Sequence, residues 1–229
     1  MSKTLQQSQG YKIINDWMAS KGHVPFKFQE QTWAKYHNGY SGMVVAPTGF
    51  GKTFSVFLAV VIDYLNYPEK YKKGLKLLWV SPLRSLAKDL AKAMSIAAEE
   101  IGLDWEVAVR NGDTPTNVRR KQERLMPDVL IVTPETIHLL FSQKNNSRWF
   151  KHVNCIAVDE WHELLGNKRG ILVELAMARL LKISVGIKIW GITATIGNLE
   201  EAGQVLIPYS DLKTVMITAK EKKKIKVVT

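Results

Sequence analysis

A lysine and a hydroxyl residue at the end of a glycine-bearing turn can hold a chain of phosphates and a divalent cation. The segment Ala46-Pro47-Thr48-Gly49-Phe50-Gly51-Lys52-Thr53 has that pattern. Glycine lets the backbone wrap closely enough for several N–H groups to face phosphate oxygens. A helix opening at Gly51-Lys52-Thr53 adds its own free N–H groups and the positive end of its dipole. In this setting Lys52 reaches the β- and γ-phosphates, the Thr53 hydroxyl ligates Mg²⁺, and Thr48, Gly49 and Gly51 shape the cradle. Ala46 stands where the general pattern has glycine. The pattern therefore leans on its setting, an apolar strand Met43-Val44-Val45 before it and a helix from Phe54 to Leu65 after it.

Two further segments supply what such a cradle needs. Asp159-Glu160 follows the apolar run Ile156-Ala157-Val158, so both carboxylates emerge at the C-terminal edge of a sheet, where ligands of α/β folds sit. Asp159 is assigned the metal and Glu160 the deprotonation of an attacking water, because phosphoryl transfer asks mainly for positioning and charge neutralisation. His162, three residues after Asp159, is placed to hydrogen-bond either nucleotide or the hydroxyl-rich segment Thr193-Ala194-Thr195. Thr193 and Thr195 are the candidates for coupling the site to movement.

The elements that must position these residues follow from patterning. Short apolar runs, Leu77–Val80, Val107–Val109, Val129–Val132, Ile156–Val158 and Ile187–Trp190, alternate with segments of helical period. Continuous rather than alternating runs indicate strands covered on both faces of a parallel sheet. Between two of them, Leu83, Leu86, Leu90, Met94, Ala97 and Ile101 predict one buried helix face, with Gly102 as the stop. The fold class is α/β, a doubly wound, mostly parallel sheet. Asn145-Asn146-Ser147 predicts a loop tip. Lys220 to Lys226 reads as a solvated tail, with an exit linker or edge strand as the alternative.

Composition sets the outer limits. The chain has 229 residues, 46% hydrophobic, enough for one such domain and too few for two. Lys and Arg number 32 against 21 Asp and Glu, a formal charge of +11, which favours a polyanionic partner or leaves a basic, solvated surface. A single cysteine, Cys155, excludes an internal disulfide and sits in an apolar run that predicts a buried thiol. The N-terminus lacks a signal-type stretch and no run approaches a membrane span, so the expectation is a soluble, cytoplasmic protein with no membrane partner.

In order and spacing these segments resemble the motifs of superfamily 2 helicases of the DExH type. The phosphate loop, Asp159-Glu160-Trp161-His162 and Thr193-Ala194-Thr195 are similar to its motifs I, II and III. Thr193 replaces a serine common at that site and keeps the hydroxyl. Pro25-Phe26-Lys27-Phe28-Gln29 resembles the adenine-reading Q motif, which implies Gln29 as the base contact. Ser81-Pro82-Leu83-Arg84-Ser85-Leu86 and Val132-Thr133-Pro134-Glu135 resemble motifs Ia and Ib, which line the nucleic-acid track in that family. Val158 to Gly170, Arg110-Asn111-Gly112-Asp113-Thr114 and Thr193 to Asn198 are similar to the Lhr-like branch, especially the ligase-associated DExH helicases. The resemblance runs from about Gln29 to Ile217.

The resemblance implies an ATP- and Mg²⁺-dependent motor that moves 3′ to 5′ on single-stranded DNA and opens duplexes in DNA repair. It divides the chain into an N-terminal helical extension (1–24), a RecA-like ATP-binding domain (25–218) and the start of a linker (219–229) to a second RecA-like lobe. That lobe supplies arginines to the γ-phosphate, worth about 10³ to 10⁵ in rate in related systems, so this chain alone is expected to bind Mg·ATP and hydrolyse it feebly. For the track the resemblance and the residue types together select Arg84, Arg110, Thr114, Thr133 and Pro134, with Arg119 and Arg120 as weaker candidates, all toward phosphate and sugar. Trp161 and Trp149 are the candidates for base stacking, while Trp79 and Trp190 belong to the core. An RNA helicase, a non-translocating P-loop switch or small-molecule kinase, and a nucleic-acid module with a relic ATP site remain as alternative readings.

Overall fold

The computed structural model describes residues 3–144, 146–194, 197–207 and 212–220. In chain order the elements are α1 (Lys3–Gln6), α2 (Gln9–Ser20), α3 (Lys27–His37), β1 (Ser41–Val45), α4 (Lys52–Asn66), β2 (Leu77–Val80), α5 (Arg84–Ile101) and β3 (Val107–Arg110). They continue with α6 (Thr116–Arg124), β4 (Val129–Val132), α7 (Pro134–Ser142), α8 (Asn146–Phe150), β5 (Cys155–Val158), α9 (Lys168–Ile183), β6 (Lys188–Thr193), α10 (Leu199–Leu206) and β7 (Thr214–Thr218). The strands form one seven-stranded sheet in the order β3-β4-β2-β5-β6-β1-β7, and every pairing is parallel.

The apolar runs sit as strands covered on both sides. Alternate strand residues feed two cores: Val44, Trp79, Ile131, Ala157 and Ile192 pack with α2 to α5 on one face. Met43, Val80, Val132, Val158 and Ile189 pack with α7, α9 and α10 on the other. Helix α4, wedged between the sheet and the layer of α2 and α3, is buried along Ser55 to Asp63, which accounts for its apolar character all round. Cys155 is fully buried, and burial pushes its thiol up to about 12. Among the described residues no helix is long and apolar enough to cross a membrane.

Three expectations are corrected. Leu83 and Leu86 do not share the buried face of α5: they are 44% and 48% exposed, because α5 begins at Arg84 on the rim and only its later turns, through Ala87, Met94, Ala97 and Ala98, lie over the sheet. Asn146 and Ser147 open helix α8 rather than a loop tip, and the buried Asn146 Nδ2 donates to the carbonyls of Phe141 and Gln143 at 2.6 and 2.7 Å; Asn145 lies outside the described residues. A seventh strand, β7, pairs with β1 where sequence patterning marked none. Residues 221–229, with most of the lysine-rich tail, lie outside the described residues.

Candidate functional site

The strand order brings the three sequence segments to neighbouring strand ends. The loop after β1 is separated from the acids after β5 only by β6, whose last residue is Thr193. In the loop, Gly49 and Gly51 have φ of 85° and 72°, the left-handed conformation that glycine adopts without strain. A Cβ at Gly51 would come within 3.0 Å of Gln29 Nε2. Gly51 caps α4, so the first helical amides open toward the loop.

Lys52 is 6% exposed, and its Nζ has no hydrogen-bond partner among the described residues. Its nearest charge is Glu160 Oε2 at 3.8 Å, an ion-pair distance too long for a hydrogen bond. A buried ammonium left in this state demands an anionic partner. Beside it, Asp159 Oδ1 accepts from the Glu160 amide at 3.0 Å and Oδ2 accepts from Trp79 Nε1 at 3.3 Å. Burial first, then the adjacent Glu160 charge, pushes the Asp159 carboxyl up to about 6, a state that a nearby cation would reverse. Glu160 has φ 43° and ψ 49°, the only non-glycine residue with positive φ among those described.

His162 joins the second segment to the third. Its Nδ1 lies 3.2 Å from Thr193 Oγ1, 3.4 Å from the Ala194 amide and 3.4 Å from Glu160 Oε2, and its Nε2 lies 3.5 Å from Glu163 Oε1. An amide can only donate, so the contact with Ala194 makes Nδ1 the acceptor. Thr193 is fully buried; Thr195 lies outside the described residues. Among the described residues no cluster of three or more His, Cys, Asp and Glu could hold a metal. The donor set here, the Thr53 hydroxyl and one carboxylate beside a phosphate cradle, suits a Mg²⁺ that takes its remaining ligands from phosphates and water.

The remaining site residues fall elsewhere or are already engaged. Gln29, read as a base contact, is buried and engages protein with one acceptor and one donor of its amide: Oε1 accepts from the Phe26 amide at 2.9 Å and Nε2 donates to the Gly51 carbonyl at 3.2 Å. It is a strut between α3 and the loop, at the edge of an apolar pocket of about 690 Å³ that Phe26, Phe50, Phe54 and Trp17 also line. Of the track residues, Arg84 is exposed, 3.4 Å from Asp113. Thr114 is half-buried, its Oγ1 accepting from the Asn111 amide. Arg110 is 5% exposed and paired to Glu123 at 2.7 Å, and Thr133 and Pro134 are buried, with Thr133 Oγ1 3.0 Å from Thr136 Oγ1. These three side chains are therefore packed inward, and of the five only Arg84 and Thr114 bring side chains to this surface. Arg119 ties its own loop, donating to the carbonyls of Thr114, Asn111 and Gly112; Arg120 is exposed. Trp161 is buried with its Nε1 on the Ala202 carbonyl, and Trp149 is buried with its Nε1 on the Glu123 carbonyl, so neither presents a face for a base.

Two residues were missed. Trp79, read as core, is core and also the donor that aims Asp159. Arg169 holds Glu135 at 2.6 Å and the Pro82 carbonyl at 2.9 Å, fixing the start of α7 and the loop after β2 to α9. No local sequence signal distinguishes either, because both contacts join segments far apart in the chain.

Residues 26–202 match the family described as DEAD/DEAH box helicase. The ATP-dependent helicase Lhr-Core of Methanocaldococcus jannaschii is 31% identical over 231 residues, covering 95% of this chain and 27% of the relative. The Lhr helicase/probable uracil glycosylase of Mycolicibacterium smegmatis is 31% identical over 205 residues, covering 85% of this chain and 14% of the relative. The solved structure of Mycobacterium smegmatis helicase Lhr bound to ssDNA and AMP-PNP superposes with a TM-score of 0.74 at 29% identity, over 90% of this chain and 27% of that one. The DUF1998 helicase MrfA bound to DNA shares the fold, with a TM-score of 0.77 at 21% identity over 90% of this chain and 29% of that one. The chain thus spans about a quarter of the length of such relatives, or less.

Proposed function

The chain belongs to the DEAD/DEAH box helicase family, and on that premise we propose that it is the ATP-binding lobe of an ATP-dependent DNA helicase. Residues 25–218 are the RecA-like nucleotide domain, preceded by a helical extension (1–24) and followed by a linker toward a second RecA-like lobe (219–229). The observation that carries the reading is the buried, hydrogen-bond-free ammonium of Lys52 beside Glu160. Magnesium held through Thr53 and Asp159 would neutralise charge on the β- and γ-phosphates.

The residues themselves do the following. The loop amides around Gly49 and Gly51 bind phosphate, and Lys52 turns its unmet Nζ donors to the γ-phosphate, leaving Glu160. Glu160, freed from that ion pair, accepts the proton of the attacking water. His162 holds Thr193, so a shift of the acids reaches the end of β6, and Thr193 and Thr195 are the coupling residues of this reading. Arg84 and Thr114 bind backbone phosphate, and the charge of +11 draws the polyanion in. DNA rather than RNA is supported by the ssDNA-bound Lhr structure, and a place in cytoplasmic DNA repair by the likeness of Val158 to Gly170 to the Lhr-like branch. Turnover by this chain alone is expected to be feeble, since a second lobe brings the arginines that complete the γ-phosphate site.

The test is Glu160→Gln in a protein continued through the second lobe, assayed for ATP hydrolysis with single-stranded DNA or RNA added. The expected result is unchanged nucleotide binding and a loss of about 10² to 10⁴ in DNA-stimulated rate. An unaltered rate would refute Glu160 as the base, and stimulation by RNA alone would refute the choice of DNA.

A further inference from the structure

The N-terminal edge of the sheet, opposite the nucleotide loop, carries cations that the site above does not use. The loops entering β2, β4 and β5 meet there around a cleft of about 270 Å³ lined by Lys73, Arg124, Arg148 and His152 over Met126 and Trp149, with no carboxylate in its wall. A neighbouring cleft of about 520 Å³ shares Arg124 and Trp149 and adds Arg120 and Lys144. Its one acid, Glu123, is already paired to Arg110. Among the described residues none of Lys73, Arg120, Arg124, Lys144 and Arg148 forms an ion pair, whereas Lys76 and Lys121 close by each have a carboxylate. Five exposed like charges left together around two clefts raise the local positive potential and favour an anion from outside.

Helix α6 connects this region to the other edge. It starts just after the Asn111–Pro115 loop, where Arg84 lies against Gly112 and Asp113, and ends at Arg124 in the clefts. Arg120 and Arg124, one turn apart, fall on the same face. Cations therefore run from Arg84 at the C-terminal edge, along α6, to Arg148 and Lys73 at the N-terminal edge.

We infer that this lane is a second phosphate-binding path for nucleic acid, carrying the backbone of the strand that passes Arg84 around to the far side of the domain. The inference rests on the nucleic-acid reading of the proposed function. A lane that spans both edges of the sheet suits a long, evenly charged polymer. An acidic peptide is disfavoured, because the shared Trp149 is buried and offers little apolar surface to anchor one.

The test uses the full chain, a fluorescein-labelled single-stranded DNA and anisotropy titrations across a range of salt. The variant K73Q/R124Q/R148Q removes three exposed charges outside the nucleotide site, and R84Q serves as the track control. Three lost phosphate contacts should flatten the log–log salt slope by about 2, weaken binding about tenfold or more at low salt, and leave binding of a fluorescent ATP analogue unchanged. In the unsubstituted chain, DNA should protect Lys73 and Lys144 from acetylation, a readout that needs no variant to fold. An unchanged slope and unprotected lysines, with R84Q still weakening binding, would overturn the lane and leave the track standing. No DNA binding by the unsubstituted chain would overturn the nucleic-acid reading and the lane with it. Poly-glutamate that binds the clefts and that DNA does not displace would reassign them to a protein partner and overturn the inference.

Discussion

Lys52 and Lys76 are both 6% exposed, one at the C-terminal edge of the sheet and the other at its N-terminal edge. Lys76 is completed by its own chain: its Nζ lies 2.5 Å from Asp128 Oδ1 and donates to the Gly74 carbonyl, while Asp128 Oδ2 accepts from the Glu106 amide. Lys52 has only Glu160 at 3.8 Å and no hydrogen bond among the described residues. Equal burial with opposite satisfaction separates a cation that holds the fold from one held ready for a ligand. The difference also explains why a motif lysine can be hidden from solvent and still be functional.

The largest effects should be reciprocal. Lys76→Met strands Asp128 without its cation and is expected to lower unfolding free energy by about 3–5 kcal/mol in urea melts, while the folded fraction still binds Mg·ATP. Lys52→Met should weaken Mg·ATP binding by about 2–5 kcal/mol in a fluorescent-nucleotide titration and leave stability equal or slightly raised. A Lys52→Met protein that unfolds, or a folded Lys76→Met protein that cannot bind, would break the comparison.

Asp159 sharpens it from the acidic side. Its carboxyl is raised from an ordinary 3.8 to about 6 in the folded chain, so the folded state binds this proton more tightly than the unfolded state does. The associated stability is fully present below pH 4 and is lost as pH rises through 6. In metal-free buffer we expect a fall of about 1–2 kcal/mol across that window, after allowing for partial solvent contact. Asp159→Asn should flatten it, and a parent whose stability does not fall there would contradict the cause assigned. The smallest effect concerns Trp79. Trp79→Phe leaves a small cavity that lowers stability and removes one hydrogen bond to a carboxylate, worth about 1.5 kcal/mol. It should raise the Mg²⁺ concentration needed for nucleotide binding about tenfold and leave metal-free nucleotide binding unchanged; equal weakening with and without Mg²⁺ would make Trp79 merely structural.

Much of the site was legible because its chemistry is local. Residues 46–53 carry loop, cap and helix start within eight positions, and the acids directly follow an apolar run. What stayed hidden depends on strand order. Trp79 meets Asp159 across 80 residues only because β2 lies beside β5 with Val80 opposite Val158. Arg110 looked free for phosphate until α6 folded back to bring Glu123 against it. Leu83 and Leu86 have the right period but stand on the rim, where no element covers them. Periodicity gives a face its composition, and topology decides whether anything lies against it.

The backbone of Glu160 has a consequence for how the sequence can drift. A non-glycine residue at φ 43° carries a conformational penalty of about 1–2 kcal/mol. Glycine or asparagine would relax there and lose the carboxylate. A laboratory selection that rewards heat resistance alone should therefore accumulate changes at this position, arriving at tougher molecules without the carboxylate that the proposed hydrolysis requires.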